Sequence, residues 1–157
     1  MMLKQVAMLL VLVSVGQLAC AQDVTYRKQV RPLWAAKCAS CHGADAPYYG
    51  DFREDKDRYV GEELGPRMDT YADLIFFVGW PDTGAFMRRL DDGKLSESGE
   101  PGNMYTYLGG DESERQQNLK LMKAWVGESA WKLTRWKASG GKPGITKEEL
   151  ELLKVKY

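Results

Sequence analysis

Cys38-Ala39-Ser40-Cys41-His42 is the stretch of this 157-residue chain whose residue types and spacing can do chemistry. Two thiols with two residues between them stand about one helical turn apart, and an imidazole follows at once. This is the attachment signature of a c-type haem. The sulfurs reach the two vinyl groups along one side of the porphyrin, and the histidine turns under the ring to meet the iron. Cys38 and Cys41 are then thioether anchors and His42 the proximal ligand. A CxxC also serves as a redox disulfide or as half a zinc site. Zinc takes four nitrogen or sulfur ligands, usually as two pairs. The one further cysteine, Cys20, lies in a leader-like segment, and His42 is the only histidine. A thioredoxin-like pair belongs beside alternating strands and helices, and this sequence has no such alternation.

The first residues read as a secretory signal peptide over 1–21. Lys4 gives a positive start, an apolar run extends from Val6 to Val15, and Ala19-Cys20-Ala21 is a small-x-small cleavage site. The run is too short to span a membrane. Lipidation at Cys20 is the competing reading, but Gln17 stands where such signals carry Leu or Val. Residues 22–157 suffice for one domain that surrounds a haem. With both remaining cysteines assigned to the haem, packing and porphyrin must supply the stability.

Formal net charge is +0, unevenly spread. Gly43 to Asp111 holds 15 acidic and 7 basic residues, whereas Glu112 to Tyr157 holds 6 acidic and 10 basic. The asymmetry either steers a docking partner or is ordinary solvated surface. No basic arm with interleaved aromatics is present, which argues against nucleic acid.

The elements that must hold the motif follow from pattern. Tyr26, Val30, Leu33, Trp34 and Cys38 recur at helical spacing after Thr25, predicting a helix over 25–40 that bends or restarts at Pro32. Ala44 to Gly65 has no periodicity and reads as surface loop, ending in the Gly65-Pro66 turn. Pro66 is either a plain turn proline or the carbonyl partner that an iron-bound histidine usually takes. Thr70 and Asp73 form a capping box for a helix over 70–78, stopped by Gly79, Trp80 and Pro81, with Phe76, Phe77 and Trp80 as core or pocket wall. Asp82 to Gly110, with six glycines and Pro101, reads as loop. Asp111 and Glu114 cap a helix to Val126, whose Leu119, Met122 and Val126 face should pack on the first helix. Trp131, Leu133 and Trp136 follow, then a joint over 139–144. Thr146 and Glu149 cap a last short helix carrying Leu150, Leu153 and Val155.

The far face of the iron has no second histidine to bind it. Met68, Met87, Met104 and Met122 are the methionines after the leader. Met122 sits on a core face and reads as packing. Met104, on a Gly/Pro-built loop before the long helix, is the first choice, followed by Met87 and Met68. A thioether ligand raises the reduction potential, which suits an electron carrier.

The order of aromatic-bearing helix, Cys38-Ala39-Ser40-Cys41-His42-Gly43, Gly65-Pro66, mid-chain helix, Met104 and closing helix resembles the class I (monohaem) cytochromes c, over about Thr25 to Gly127. The resemblance implies an all-α fold: a small helical domain over 22–127 wrapped around one covalent haem c, with an extension over 128–157 packed on the domain or at an interface. It implies attachment through Cys38 and Cys41, proximal ligation by His42, a carbonyl partner in Pro66 and distal ligation by Met104. The loop from His42 to Pro66 is longer than in compact members, and the extension has no counterpart in the minimal fold. The expected function is one-electron transfer in the periplasm, or otherwise outside the cytoplasm, between periplasmic or membrane-bound redox proteins. No transmembrane segment is expected in the mature chain. An open-site haem enzyme or sensor for peroxide, nitric oxide or carbon monoxide is a second reading, although no distal histidine is available for proton transfer. A fixed haem subunit of a larger dehydrogenase is a third.

Overall fold

The computed structural model describes residues 23–80, 82–133 and 145–157. The leader with Cys20, Pro81, Trp136 and the 139–144 joint lie outside the described residues. Among the described residues every regular element is helical, as expected of an all-α chain.

Pro32 decides how the chain enters the motif. It has no N–H to give to the preceding turn, and the turn before it widens into one π-helical turn, Tyr26–Val30, capped by Thr25. Helix α1, Arg31–Lys37, restarts with Pro32 in its first turn, where the missing donor costs nothing. A short break at Cys38 leads into α2, Ala39–His42, so Cys38, Cys41 and His42 are wound within about one turn. The Cys38 carbonyl accepts from both the Cys41 and His42 amides, at 3.2 and 3.0 Å.

The stretch after His42 is more ordered than its composition indicates. It contains α3, Tyr49–Glu54, and α4, Lys56–Gly61, where the sequence predicted loop. Neither helix buries a residue completely, so no apolar stripe announces them. They are held by side-chain contacts instead. Phe52 stacks on Tyr59 at 6.3 Å, Arg58 pairs with Asp55 and Glu62, and Tyr49 sets its ring edge-on to Phe76 and Phe77 at 4.9 and 5.5 Å.

Helix α5, Tyr71–Val78, has the expected Thr70/Asp73 capping box and ends at Gly79. Trp80 does not join its core face; it is 60% exposed, because the chain turns back there and Gly84 bonds to the Val78 carbonyl. A further correction is α6, Ala85–Leu90, inside the predicted 82–110 loop. Its Ala85, Phe86, Met87 and Leu90 are all buried, a run too short to read as a helix from periodicity. A 3₁₀ turn, Tyr105–Leu108, precedes α7, Glu112–Val126.

Helix α7 is the centre of the core. Leu119, Met122, Trp125 and Val126 are at most 2% exposed, and Trp125 meets Tyr26 of the first turn at 6.4 Å. The predicted packing of this helix on the first is observed. Asp111 caps it by accepting from the Glu114 amide, while the Glu114 carboxylate reaches the Gly110 amide and Lys37 of α1. The described residues after 127 return to the same core. Trp131 is buried, α8, Lys147–Glu151, carries the expected Thr146/Glu149 box, and 154–157 lie across the helix crossing. Leu153 and Val155 pack inward, but Leu150 is exposed, since α8 is barely more than one turn long.

Candidate haem-binding site

The His42 imidazole is 9% exposed, and its Nδ1–H donates to the Pro66 carbonyl at 2.7 Å. A carbonyl only accepts, so Nδ1 carries the proton and Nε2 keeps its lone pair for a metal. Burial lowers the imidazole's proton affinity, and the Pro66 bond opposes this only in part, so the ring is neutral at pH 7. Neutral imidazole is the form that ligates iron.

Segment 65–68 is laced to the motif by backbone bonds. Gly65 N–H donates to the Cys41 carbonyl and Met68 N–H to the His42 carbonyl, both at 2.9 Å, while Arg67 N–H donates to Pro47 at 2.8 Å. The strap passes so close beneath the ring that a β-carbon at Gly65 would collide with His42 Cε1 and stand 2.6 Å from Nδ1. Only glycine allows this approach. Cys38 and Cys41 are unbridged thiols. Burial, and next the neighbouring Cys41, push the Cys38 thiol up to about 11, so it stays protonated at neutral pH.

This donor set fits a c-type haem. A thiol adds across a vinyl group, its sulfur bonding one carbon and its hydrogen ending on the other, and two such thiols stand beside an imidazole with one nitrogen available. One turn before Cys38, the Trp34 indole Nε1–H is buried without a partner among the described residues. An orphan buried donor costs about 1–3 kcal/mol, and a ligand bearing carboxylates supplies acceptors. The zinc alternative has no such support: among the described residues no group of three or more His, Cys, Asp or Glu side chains converges.

The structure therefore brings Cys38, Cys41, His42 and Pro66 into one unit. Met104 belongs to a second unit built on α6. Its amide donates to the Arg89 carbonyl at 2.9 Å, and Gly102 presses so closely on the Arg88 and Arg89 carbonyls that no larger residue fits. Met104 is half-buried at the margin of the core. Met87, in α6, is enclosed on every side at 0% exposure, and Met122 is 1% exposed on α7, the packing position expected of it. Met68 is half-buried on the strap itself, two residues beyond the carbonyl that holds His42.

A family model described as PccH cytochrome c matches residues 25–157. The chain belongs to the PccH cytochrome c family. A solved structure, that of monoheme cytochrome PccH from Geobacter sulfurreducens, is 52% identical, with 86% of this chain and 99% of that one covered and a TM-score of 0.75. No curated protein matches the chain. As a monohaem member of the PccH family, the protein carries one covalently bound haem c. The family match continues to residue 157, through the segment absent from the minimal class I pattern. Among the described residues of this PccH-family cytochrome no helix is long and apolar enough to cross a membrane. Three features of the site were not apparent in sequence: the Gly65 contact beneath His42, the orphan Trp34 donor, and the buried Asp91, which accepts from Trp131 at 2.9 Å. Each depends on a tertiary neighbour that spacing does not encode.

Proposed function

We propose that this cytochrome is an exported one-electron carrier in which Cys38 and Cys41 hold the haem by thioethers, His42 Nε2 is the proximal ligand, Pro66 orients that ligand, and Met104 binds the opposite face. The observation that carries the reading is the 2.7 Å bond from His42 Nδ1 to Pro66, which directs the remaining nitrogen at the metal. The haem supplies the redox chemistry, its iron gaining or losing one electron. The chain's own work is to anchor, orient and dehydrate it. Met104 is favoured over Met87 because a side chain enclosed by protein on all sides has no face to offer iron, and over Met68 because that residue shares the strap of the proximal ligand. The leader-like 1–21 segment supports export to the periplasm, where soluble or membrane-bound redox proteins are the electron partners. Their interfaces with such carriers are small, so no large apolar patch is required.

Visible absorption of the holoprotein in both oxidation states, with and without carbon monoxide, tests the reading. The expected wild type has a ferric thioether charge-transfer band and does not bind carbon monoxide readily when reduced. Met104→Ala should lose the band and lower the reduction potential by roughly 100 mV, a modest part of the ~0.8 V that axial ligands command. Loss of the band in Met87→Ala or Met68→Ala, with Met104→Ala unaffected, would transfer the ligand role. Ready carbon monoxide binding by the reduced wild type would move the function to an open-site enzyme or sensor. Recovery of the holoprotein only in a stable complex with a dehydrogenase would make it a fixed haem subunit.

A further inference from the structure

We infer that Asp91 and Trp131 are positioning residues for the distal ligand: the buried Asp91 carboxylate, tied to Trp131, fastens the 91–104 loop that presents Met104. This rests on the reading of Met104 as ligand.

The loop leaves α6 at Asp91 and returns to the same place. Gly102 N–H donates to the Asp91 carbonyl at 2.8 Å, and Met104 N–H donates to Arg89 at 2.9 Å. Met104 therefore stands at the foot of a closed loop whose origin is Asp91. The Asp91 carboxylate is 2% exposed, and each oxygen has a separate task. Oδ2 accepts from the Gly93 amide at 2.9 Å, turning the chain into the loop. Oδ1 accepts from Trp131 Nε1–H at 2.9 Å. The Lys123 ammonium stands 3.8 Å from the same oxygen and 5.4 Å over the Trp131 ring, drawing α7 into the arrangement. Because the carboxylate is shielded from water, losing the indole leaves Oδ1 facing only the more distant Lys123 ammonium.

The other side of Met104 is held as well. Tyr105, its neighbour, donates to Glu112 at 2.6 Å and accepts from Gln116 at 2.8 Å, and Gln116 also donates to Asp92 at 3.0 Å. The loop is thus pinned to α7 at Tyr105 and Asp92, and to the segment after α7 at Asp91. Among the described residues, Trp131 is the anchor contributed from beyond residue 127. Its loss should leave the proximal half intact while loosening the ligand opposite it.

Competition by added imidazole reads this directly, since imidazole binds ferric haem only where the methionine yields. In the holoprotein, Trp131→Phe keeps a smaller aromatic ring and removes the donor. It should raise the apparent imidazole affinity about tenfold, equivalent to about 1.4 kcal/mol. Asp91→Asn keeps an acceptor for the indole and should raise it by about threefold, a smaller effect than full loss of the donor. It also serves if the tryptophan variant does not fold. Tyr71→Phe removes a bond to the Val155 carbonyl instead. It should lower the melting temperature while leaving imidazole affinity within about twofold of wild type, because its partners lie outside the loop. Unchanged imidazole affinity in Trp131→Phe and Asp91→Asn, or an equal rise in Tyr71→Phe, overturns the inference. Met104→Ala separates the two readings. If it keeps the charge-transfer band, both fall; if it loses the band while the clamp variants leave imidazole affinity unchanged, only the clamp falls.

Discussion

His42 is committed on one side before any metal arrives, because its Nδ1–H donates to the Pro66 carbonyl and burial keeps the ring neutral. A hydrogen bond at that nitrogen pushes electron density onto Nε2 and stabilises ferric iron. Gly65 is what lets the strap come close enough to make it. Gly65→Ala should therefore displace the imidazole and weaken the Pro66 bond. The expected result is a reduction potential raised by roughly 60 mV, a tenfold change for a one-electron couple, read by redox titration. Stability should fall by about 1–3 kcal/mol from overpacking, read by denaturant unfolding. At this scale the proximal motif was legible, since two thiols and an imidazole within one turn are a local arrangement that spacing alone specifies. The Pro66 carbonyl was legible only as one of two options. Gly65 and Asp91 were not, because a glycine beneath a ring and a carboxylate beneath an indole are contacts between segments far apart in sequence.

The elements divide by how they are stabilised. Helices α5 and α7 combine a side-chain cap with several buried apolar positions, so both their starts and their inward faces could be read. Helices α3 and α4 bury no residue completely and depend on aromatic and ion-pair contacts, while α6 is a single short turn of buried residues among glycines. Neither kind leaves a period in the sequence. The loop between α6 and α7 is an element in the same sense, fixed by polar contacts to α7. Asp92 illustrates this: burial raises its pKa, but hydrogen bonds from Lys94 and Gln116 outweigh this and hold it at about 2, against an ordinary 3.8. A depressed carboxyl stabilises the fold above its unfolded value and loses that contribution as pH falls through its folded one. The contribution is therefore complete above about pH 5, falls through the range between the two values and is gone near pH 1. Asp92→Asn should cost about 1–2 kcal/mol at pH 7, discounted because Lys94 is largely solvated, and the gap from wild type should close progressively between about pH 5 and 1. Urea unfolding of both proteins across that range checks it; a gap that does not change with pH would mean that Asp92 acts by shape and not by charge.

Across the whole molecule, the two ends of the described chain meet at the crossing of the first turn and α7. Lys154 and Val155 donate to the Val126 and Trp125 carbonyls at 3.0 and 2.8 Å, and the Lys156 carbonyl accepts from both Tyr26 N–H and Trp125 Nε1–H. Tyr71 donates to the Val155 carbonyl, and the Tyr157 ring stacks on Tyr26 at 5.7 Å with the Arg27 guanidinium lying 4.4 Å over the Tyr157 ring. Segment 154–157 thus completes hydrogen bonding that the helices alone leave open, most sharply at Trp125, which is 0% exposed. Deleting residues 154–157 strands that indole donor, at about 1–3 kcal/mol, and removes aromatic contacts that contribute about 0.5–1.5 kcal/mol each. The expected loss is about 3 kcal/mol, on the order of 10 °C in melting temperature for a domain of this size. Its partners are Asp23, Tyr26, Arg27, Tyr71, Trp125 and Val126, not the 38–42 motif or Pro66. The visible spectrum and reduction potential of the folded holoprotein should accordingly stay as in wild type. A potential that moved with the deletion would show that the helix crossing, and not the strap and loop alone, sets the iron's environment.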